Sequence, residues 1–244
     1  MRKQKLSVNE KKTPDFVTAV TIISVMVAFS LFASCVAGKF KAISSDTAFS
    51  FVWGLFNTIL LMLALVYYVF KRFRTYILSV LKKPPIPLSR GFLVYILFFP
   101  GLLVVTLASF TFFRILGFSP MPQQVMYLYL ETDSFYMLFL LFFTSCIVAP
   151  FTEEIIFRGV IYPALRERFR APAAILLSST IFALMHSDIF VFAGLFAFGI
   201  LLAYLFEKHE NLWLPISVHF FNNLFANIAV LIVKYTHIIK TLEG

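Results

Sequence analysis

The sequence predicts an all-α protein, a polytopic membrane bundle of about seven to eight transmembrane helices, and three observations carry that expectation. Hydrophobic residues make up 60% of the 244 and charged residues only 14%, which leaves too little polar surface to cover a water-soluble globule. Apolar runs of roughly 20 residues, the length that crosses a hydrocarbon core of about 30 Å, recur along the whole chain. No ten-residue segments of alternating polarity occur, so the backbone groups of these spans must be satisfied inside helices rather than in a barrel.

The first run, Phe16 to Ala37, follows a basic leader with Arg2, Lys3, Lys5, Lys11 and Lys12, but is too long for an ordinary signal segment. Phe32-Ala33-Ser34-Cys35 resembles a lipoprotein cleavage box with an unusual Phe at its first position, and an uncleaved span is the expectation. The later runs are Phe49 to Phe70, Phe92 to Phe113, Phe135 to Leu165, Pro172 to Met185, Ile189 to Phe206 and Leu212 to Val233. Lys82-Lys83-Pro84-Pro85-Ile86-Pro87 cannot be helical throughout. It divides a two-span region, 1–90, from a core bundle, 91–244, as a loop rather than as a border between independent domains. Pro150, inside the long fourth run, is expected to kink or break it.

The net charge of +9 does not mark a nucleic-acid binder, because the basic residues sit in the connections between apolar runs. Residues 71–90 carry Lys71, Arg72, Arg74, Lys82, Lys83 and Arg90 and no acid, whereas 114–134 has Arg114 against Glu131 and Asp133. The excess places the N-terminus and the 71–90 segment in the cytoplasm of a multi-pass plasma (inner) membrane protein. Arg166, Arg168 and Arg170 fall on the same side, and the C-terminus on the other. Cys35 and Cys146 are the only cysteines, so neither a disulfide framework nor a CxxC site is available.

A few polar residues interrupt the spans. Between Ser134 and Arg166 the charged residues are Glu153, Glu154 and Arg158. An ionisable group in hydrocarbon costs roughly 2.5 to 3.5 kcal/mol on insertion scales, so such groups face the bundle interior and usually have a task. Glu154 and Arg158 stand four apart on one helix face and can pair, which on its own can be a packing device. Glu153 is left free for chemistry. His186 ends an apolar run, and a lone histidine there is as often a packing residue. His219 and Asn223, again four apart, share a face of the last span, while Asn222 points elsewhere; both can also serve as interhelical hydrogen-bond glue. Glu153 lies 17 residues before Arg170 and His186 16 residues after it, so a helical hairpin brings them level, about 25 Å from the turn. His219 reaches that depth only if the fourth helix extends well into the cytoplasm.

A carboxylate, two imidazoles and an amide in one cavity supply a base for water and donors for an oxyanion. Ser178, Ser179, Thr180 and Ser187 are candidate nucleophiles, but none sits in a GxSxG elbow. HExxH is absent, although Glu153, His186 and His219 have the chemistry to hold zinc.

Glu153-Glu154-Ile155-Ile156-Phe157-Arg158-Gly159 resembles the EExxFRG form of the EExxxR motif of the CAAX-processing and bacteriocin-processing membrane proteases, the Abi family. Phe182-Ala183-Leu184-Met185-His186 is similar to their FxxxH motif, and His219-Phe220-Phe221-Asn222-Asn223 to their HxxxN motif. All three stand in the family order within 135–233. The resemblance implies an intramembrane endopeptidase in which Glu153 activates water, His186 orients it, Glu154 and Arg158 support the site, and His219 with Asn223 forms the oxyanion hole. It implies no cofactor, zinc being the alternative since the family has long been classed as metalloendopeptidase. The compact chain is more like prokaryotic members, with a membrane-associated peptide or protein as substrate rather than a prenylated one. A non-catalytic scaffold or bacteriocin self-immunity protein using the same cavity is the alternative, and a transporter is disfavoured by the absence of repeats.

Overall fold

The computed structural model describes residues 13–43, 47–81, 86–119 and 124–243, apart from the side chains of 33–43, 47–52, 55, 124, 125, 127 and 237–243. The basic leader 1–12, the Cys35 side chain and Lys82–Pro85 therefore lie outside the described residues. Eight helices and no strand are found among the described residues. They are α1 (Phe16–Ile43), α2 (Thr47–Leu81), α3 (Leu88–Ile115), α4 (Gln124–Glu131), α5 (Phe135–Arg166), α6 (Ala171–Leu184), α7 (Phe192–His209) and α8 (Trp213–Glu243). Five helical stretches are long and apolar enough to cross a membrane, and two shorter apolar ones, Phe16–Phe32 and Ala171–Leu184, complete the seven runs seen in the sequence.

The second span was expected to end at Phe70, with a basic loop following, but α2 continues to Leu81 past a non-helical Phe73. Lys and Arg are good helix formers, and no breaker stands before Pro84. Val69, Phe73, Ile77 and Val80 also form a buried stripe at helical spacing, packed in one core with Ile156, Val160 and Ile161 of α5 and Leu202 and Phe206 of α7. The 114–134 connection also departs from a plain loop. Leu128 and Tyr129 of α4 pack on Leu141, Val230 and Leu231. Buried Lys234 of α8 closes that end by donating to the carbonyls of Tyr129 and Thr132 and pairing with Asp133 at 3.2 Å.

Pro150 neither breaks nor ends α5. The helix absorbs it with a π-turn at Thr144–Val148, resumes as α-helix at Ala149–Ile156, and widens again in a second π-turn at Phe157–Ile161. Wide turns of this kind insert one residue and re-aim the side chains around them, often at functional sites. The two flank the Glu153-Glu154 pair.

Contacts among the described residues assign the helix termini to two ends of the bundle. At one end, Thr13 donates to Glu167 (3.5 Å), Arg168 lies 4.2 Å over the Phe16 ring, and Arg166 pairs with Glu207 at 3.2 Å. Trp213 Nε1 donates to Leu81 O (2.8 Å) at that same end. At the other end, Phe190 packs between Phe110 and Phe113, and Lys234 meets Asp133. The N-terminal helix, the end of α2, the end of α5 and the α7–α8 connection thus share one face of the bundle. α8 runs away from it.

Candidate active site

The site grows out of the middle of α5, between its two π-turns. Glu154 and Arg158 form the i, i+4 pair expected of them, Arg158 Nη1 donating to Glu154 Oε1 at 2.8 Å with both side chains fully buried. Arg158 Nη2 donates to Gly199 O at 3.1 Å, and the guanidinium lies 4.7 Å over the Phe182 ring. Gly199 makes that reach workable: a Cβ there would stand 3.0 Å from the Ser179 Cβ, so a larger residue fits only if α6 and α7 give by a few tenths of an ångström. The close approach brings the α7 backbone within reach of a charge on α5.

His219 of α8, itself buried, completes the cluster. Its Nδ1 is 2.8 Å from Glu154 Oε1, the oxygen that also receives Arg158, and its Nε2 is 3.9 Å from Glu153 Oε2. The two carboxylates are therefore treated very differently. Glu154 Oε1 is tied to a cation and an imidazole, whereas Glu153 approaches His219 Nε2 only to 3.9 Å; Oε2 of each glutamate is buried without a hydrogen bond. A buried carboxylate oxygen without a partner is costly, and such an atom is a marker of function when it faces other polar groups. Depth also agrees: Glu153 stands 13 residues before Arg166, about 20 Å along the helix. α5 and α8 do come level, as the contact of His219 with both glutamates requires. Gly91 of α3 lets α8 settle there, since a Cβ at Gly91 would clash with Ser217.

His186 sits just past the end of α6, exposed, with Nδ1 2.8 Å from Phe182 O and its ring 4.8 Å from that of Phe182. Phe182 also packs edge-on against Phe157 and lies 5.9 Å from the His219 ring. The structure thus joins His186 to the cluster through Phe182, the first residue of the same FxxxH motif. Asn223 projects on the His219 side of α8 and donates from Nδ2 to Ser145 O at 2.8 Å, while Asn222 donates to Asn223 Oδ1 at 3.2 Å. Among the described residues no set of three His, Cys, Asp or Glu side chains is gathered as a metal site. His219 Nε2 faces Glu153 at 3.9 Å, but His186 stands off beyond Phe182, so Glu153, His186 and His219 are not gathered into a three-ligand site as placed.

Two contributors escaped the sequence reading. Asn227 is buried one turn beyond Asn223; its Nδ2 donates to Asn223 O at 2.6 Å, and its Oδ1 accepts from Ser145 Oγ at 3.1 Å. Ser145 receives Asn223 through its backbone. Asn227 was legible, since His219, Asn223 and Asn227 repeat every four residues along one stripe. For Ser145 the signal was indirect, a proline five residues downstream.

A membrane helical bundle with a buried Glu-Glu-Arg-His cluster defines the class of protein, and comparison with known proteins narrows it. Residues 135–225 match the family model described as Type II CAAX prenyl endopeptidase Rce1-like. The matched stretch contains all three of the motifs that resemble those of the CAAX-processing and bacteriocin-processing membrane proteases. A protein of Bacillus subtilis (strain 168) that bears the provisional name of membrane peptidase YdiL is 38% identical over 87 residues. That match covers 36% of this chain and 36% of the relative, so about a third of the relative's length is spanned. No solved structure matches the chain significantly.

Proposed function

We propose that this chain is an intramembrane endopeptidase that hydrolyses a peptide bond in a membrane-associated peptide or protein. The observation that carries the reading is the division of labour between the two acids: Glu154 is held by both Arg158 and His219 Nδ1, while Glu153 Oε2 lies 3.9 Å from His219 Nε2. In the reaction, Glu153 takes a proton from water as the water oxygen bonds to the scissile carbonyl carbon. The carbonyl oxygen becomes an oxyanion, and Glu153 returns the proton to the leaving nitrogen as the C–N bond breaks. With Nδ1 bonded to Phe182 O, His186 has Nε2 free to orient the water. Asn223 has one amide hydrogen on Ser145 O and the second to offer the oxyanion.

With Nδ1 on Glu154, Nε2 is the ring nitrogen that His219 presents to the reacting groups beside Glu153. The step runs without a cofactor in this reading. The enzyme resides in the plasma membrane with the Thr13, Leu81 and Arg166 end in the cytoplasm, and its substrate reaches it from the bilayer; nucleic acid has no role. Peptidomics of membranes from cells expressing wild-type or Glu153→Gln protein tests the proposal. Products are expected in the first and not in the second. Identical peptide profiles, with both proteins present at equal level, favour a non-catalytic scaffold or self-immunity protein instead.

A further inference from the structure

Asn223 is held by a backbone carbonyl that an ordinary helix would not leave available, and the reason lies at Pro150. In the π-turn at Thr144–Val148, the N–H of Ala149 bonds to Thr144 O, five residues back. The next donor in that register is residue 150, whose N–H would fall on Ser145 O. Proline has no N–H. Ser145 O therefore lacks its helical partner, and a buried carbonyl must find another. It finds Asn223 Nδ2, at 2.8 Å from α8.

We propose that Pro150 is a positioning residue for the Asn223 amide: by withholding a backbone proton it frees Ser145 O to fix the orientation of that side chain. The inference rests on the endopeptidase reading for its consequence, but its geometry stands apart from it. Asn223 is further restrained by its neighbours on α8. Asn222 donates to its Oδ1, which fixes which end of the amide is oxygen, and Asn227 bonds its backbone carbonyl while also holding the Ser145 hydroxyl. Pro150 is itself buried, one turn before Glu153 and Glu154 on the same helix. One proline thus relates the general base on α5 to the oxyanion donor on α8. Placement of an oxyanion donor decides its worth, since a displacement of about 1 Å costs up to about 100-fold in rate.

The test compares two replacements of Pro150 in the full-length protein. Pro150→Ala restores an N–H that competes for Ser145 O; the ester analogue, lactic acid introduced at position 150, removes the ring without restoring the N–H. The readout is the side-chain ¹⁵N–¹H resonance of Asn223 in detergent micelles, picked out from Asn9, Asn57, Asn211, Asn222 and Asn227 by its loss in Asn223→Ala. In wild type and in the ester analogue it is expected at the same hydrogen-bonded position with slow solvent exchange. In Pro150→Ala it is expected to move upfield and to exchange at least about tenfold faster. Cleavage of quenched fluorescent casein follows the same order, with kcat down about 10- to 100-fold in Pro150→Ala and KM within about twofold. An unmoved Asn223 resonance in Pro150→Ala, or equal shifts in both replacements, overturns the inference. That result leaves the endopeptidase reading intact, because the latter fails only if Glu153→Gln retains cleavage.

Discussion

Replacing Arg158 with Leu removes the only guanidinium from a cluster that holds Glu153, Glu154 and His219, and the structure sets the size of the penalty. Arg158 and Glu154 are both fully buried, and their 2.8 Å bond is the main compensation each has for lost hydration. Breaking one side of such a pair costs about 3 to 5 kcal/mol, because the remaining charge is left buried. For a chain of this size, each kcal/mol moves the thermal midpoint by about 2 to 4 °C, so Arg158→Leu and Glu154→Leu are each expected about 6 to 20 °C below wild type. The double replacement Glu154→Leu/Arg158→Leu should be less damaging than the two losses added together. It removes both charges at once and leaves His219 Nδ1 short of one acceptor, a loss of about 1 to 3 kcal/mol. The assay is a thermal melt of each variant in detergent followed by fluorescence-detected size exclusion, read as a double-mutant cycle with an expected coupling of about 2 kcal/mol or more. Strict additivity, or single variants that melt with wild type, refutes the claim that Glu154 and Arg158 form one buried unit.

Two further outcomes follow from the ends of the bundle and from the ligand geometry. Reporters fused near Lys82 and Arg168 are expected on the cytoplasmic side and those near Gln123 and Gly244 on the opposite side, because Leu81, Arg166 and Trp213 share one end while Lys234 meets Asp133 at the other; reporters at Lys82 and Gln123 on one side would reverse it. Exhaustive chelation is expected to leave casein cleavage unchanged, with well under one zinc per chain by elemental analysis, since no three His, Cys, Asp or Glu side chains are gathered as a metal site among the described residues. Stoichiometric zinc, with activity lost on its removal and restored on its return, would make His186 and His219 ligands.

Much of this arrangement was legible in the sequence because lipid is an unforgiving solvent. An apolar run of about 20 residues has few folded fates, and a carboxylate within one has fewer. The i, i+4 spacing of Glu154 with Arg158, and of His219 with Asn223, placed each pair on one face before any coordinates. What spacing could not supply was the partner across helices. Glu154 was read as bonded to Arg158 alone, yet His219 shares the same oxygen, a contact between residues 65 apart. The extension of α2 to Leu81 was missed because charge was taken as loop, although Phe73, Ile77 and Val80 carried the helical stripe. Pro150 was expected to kink or break the helix; the helix continues through a π-turn, and the neighbouring helix supplies a donor for the orphaned carbonyl.

The claim that Glu153 is a general base is tested most directly by Glu153→Gln, which keeps the shape and hydrogen-bonding capacity of the side chain and removes its basicity. Purified wild-type and variant proteins, reconstituted in liposomes at equal folded yield, are compared for cleavage of quenched fluorescent casein. Base catalysis contributes about 10² to 10⁴-fold, so the variant is expected to lose at least the lower figure while its melting temperature stays at or above that of wild type, an amide being easier to bury than a carboxylate. A well-folded Glu153→Gln protein that cleaves at the wild-type rate contradicts the account.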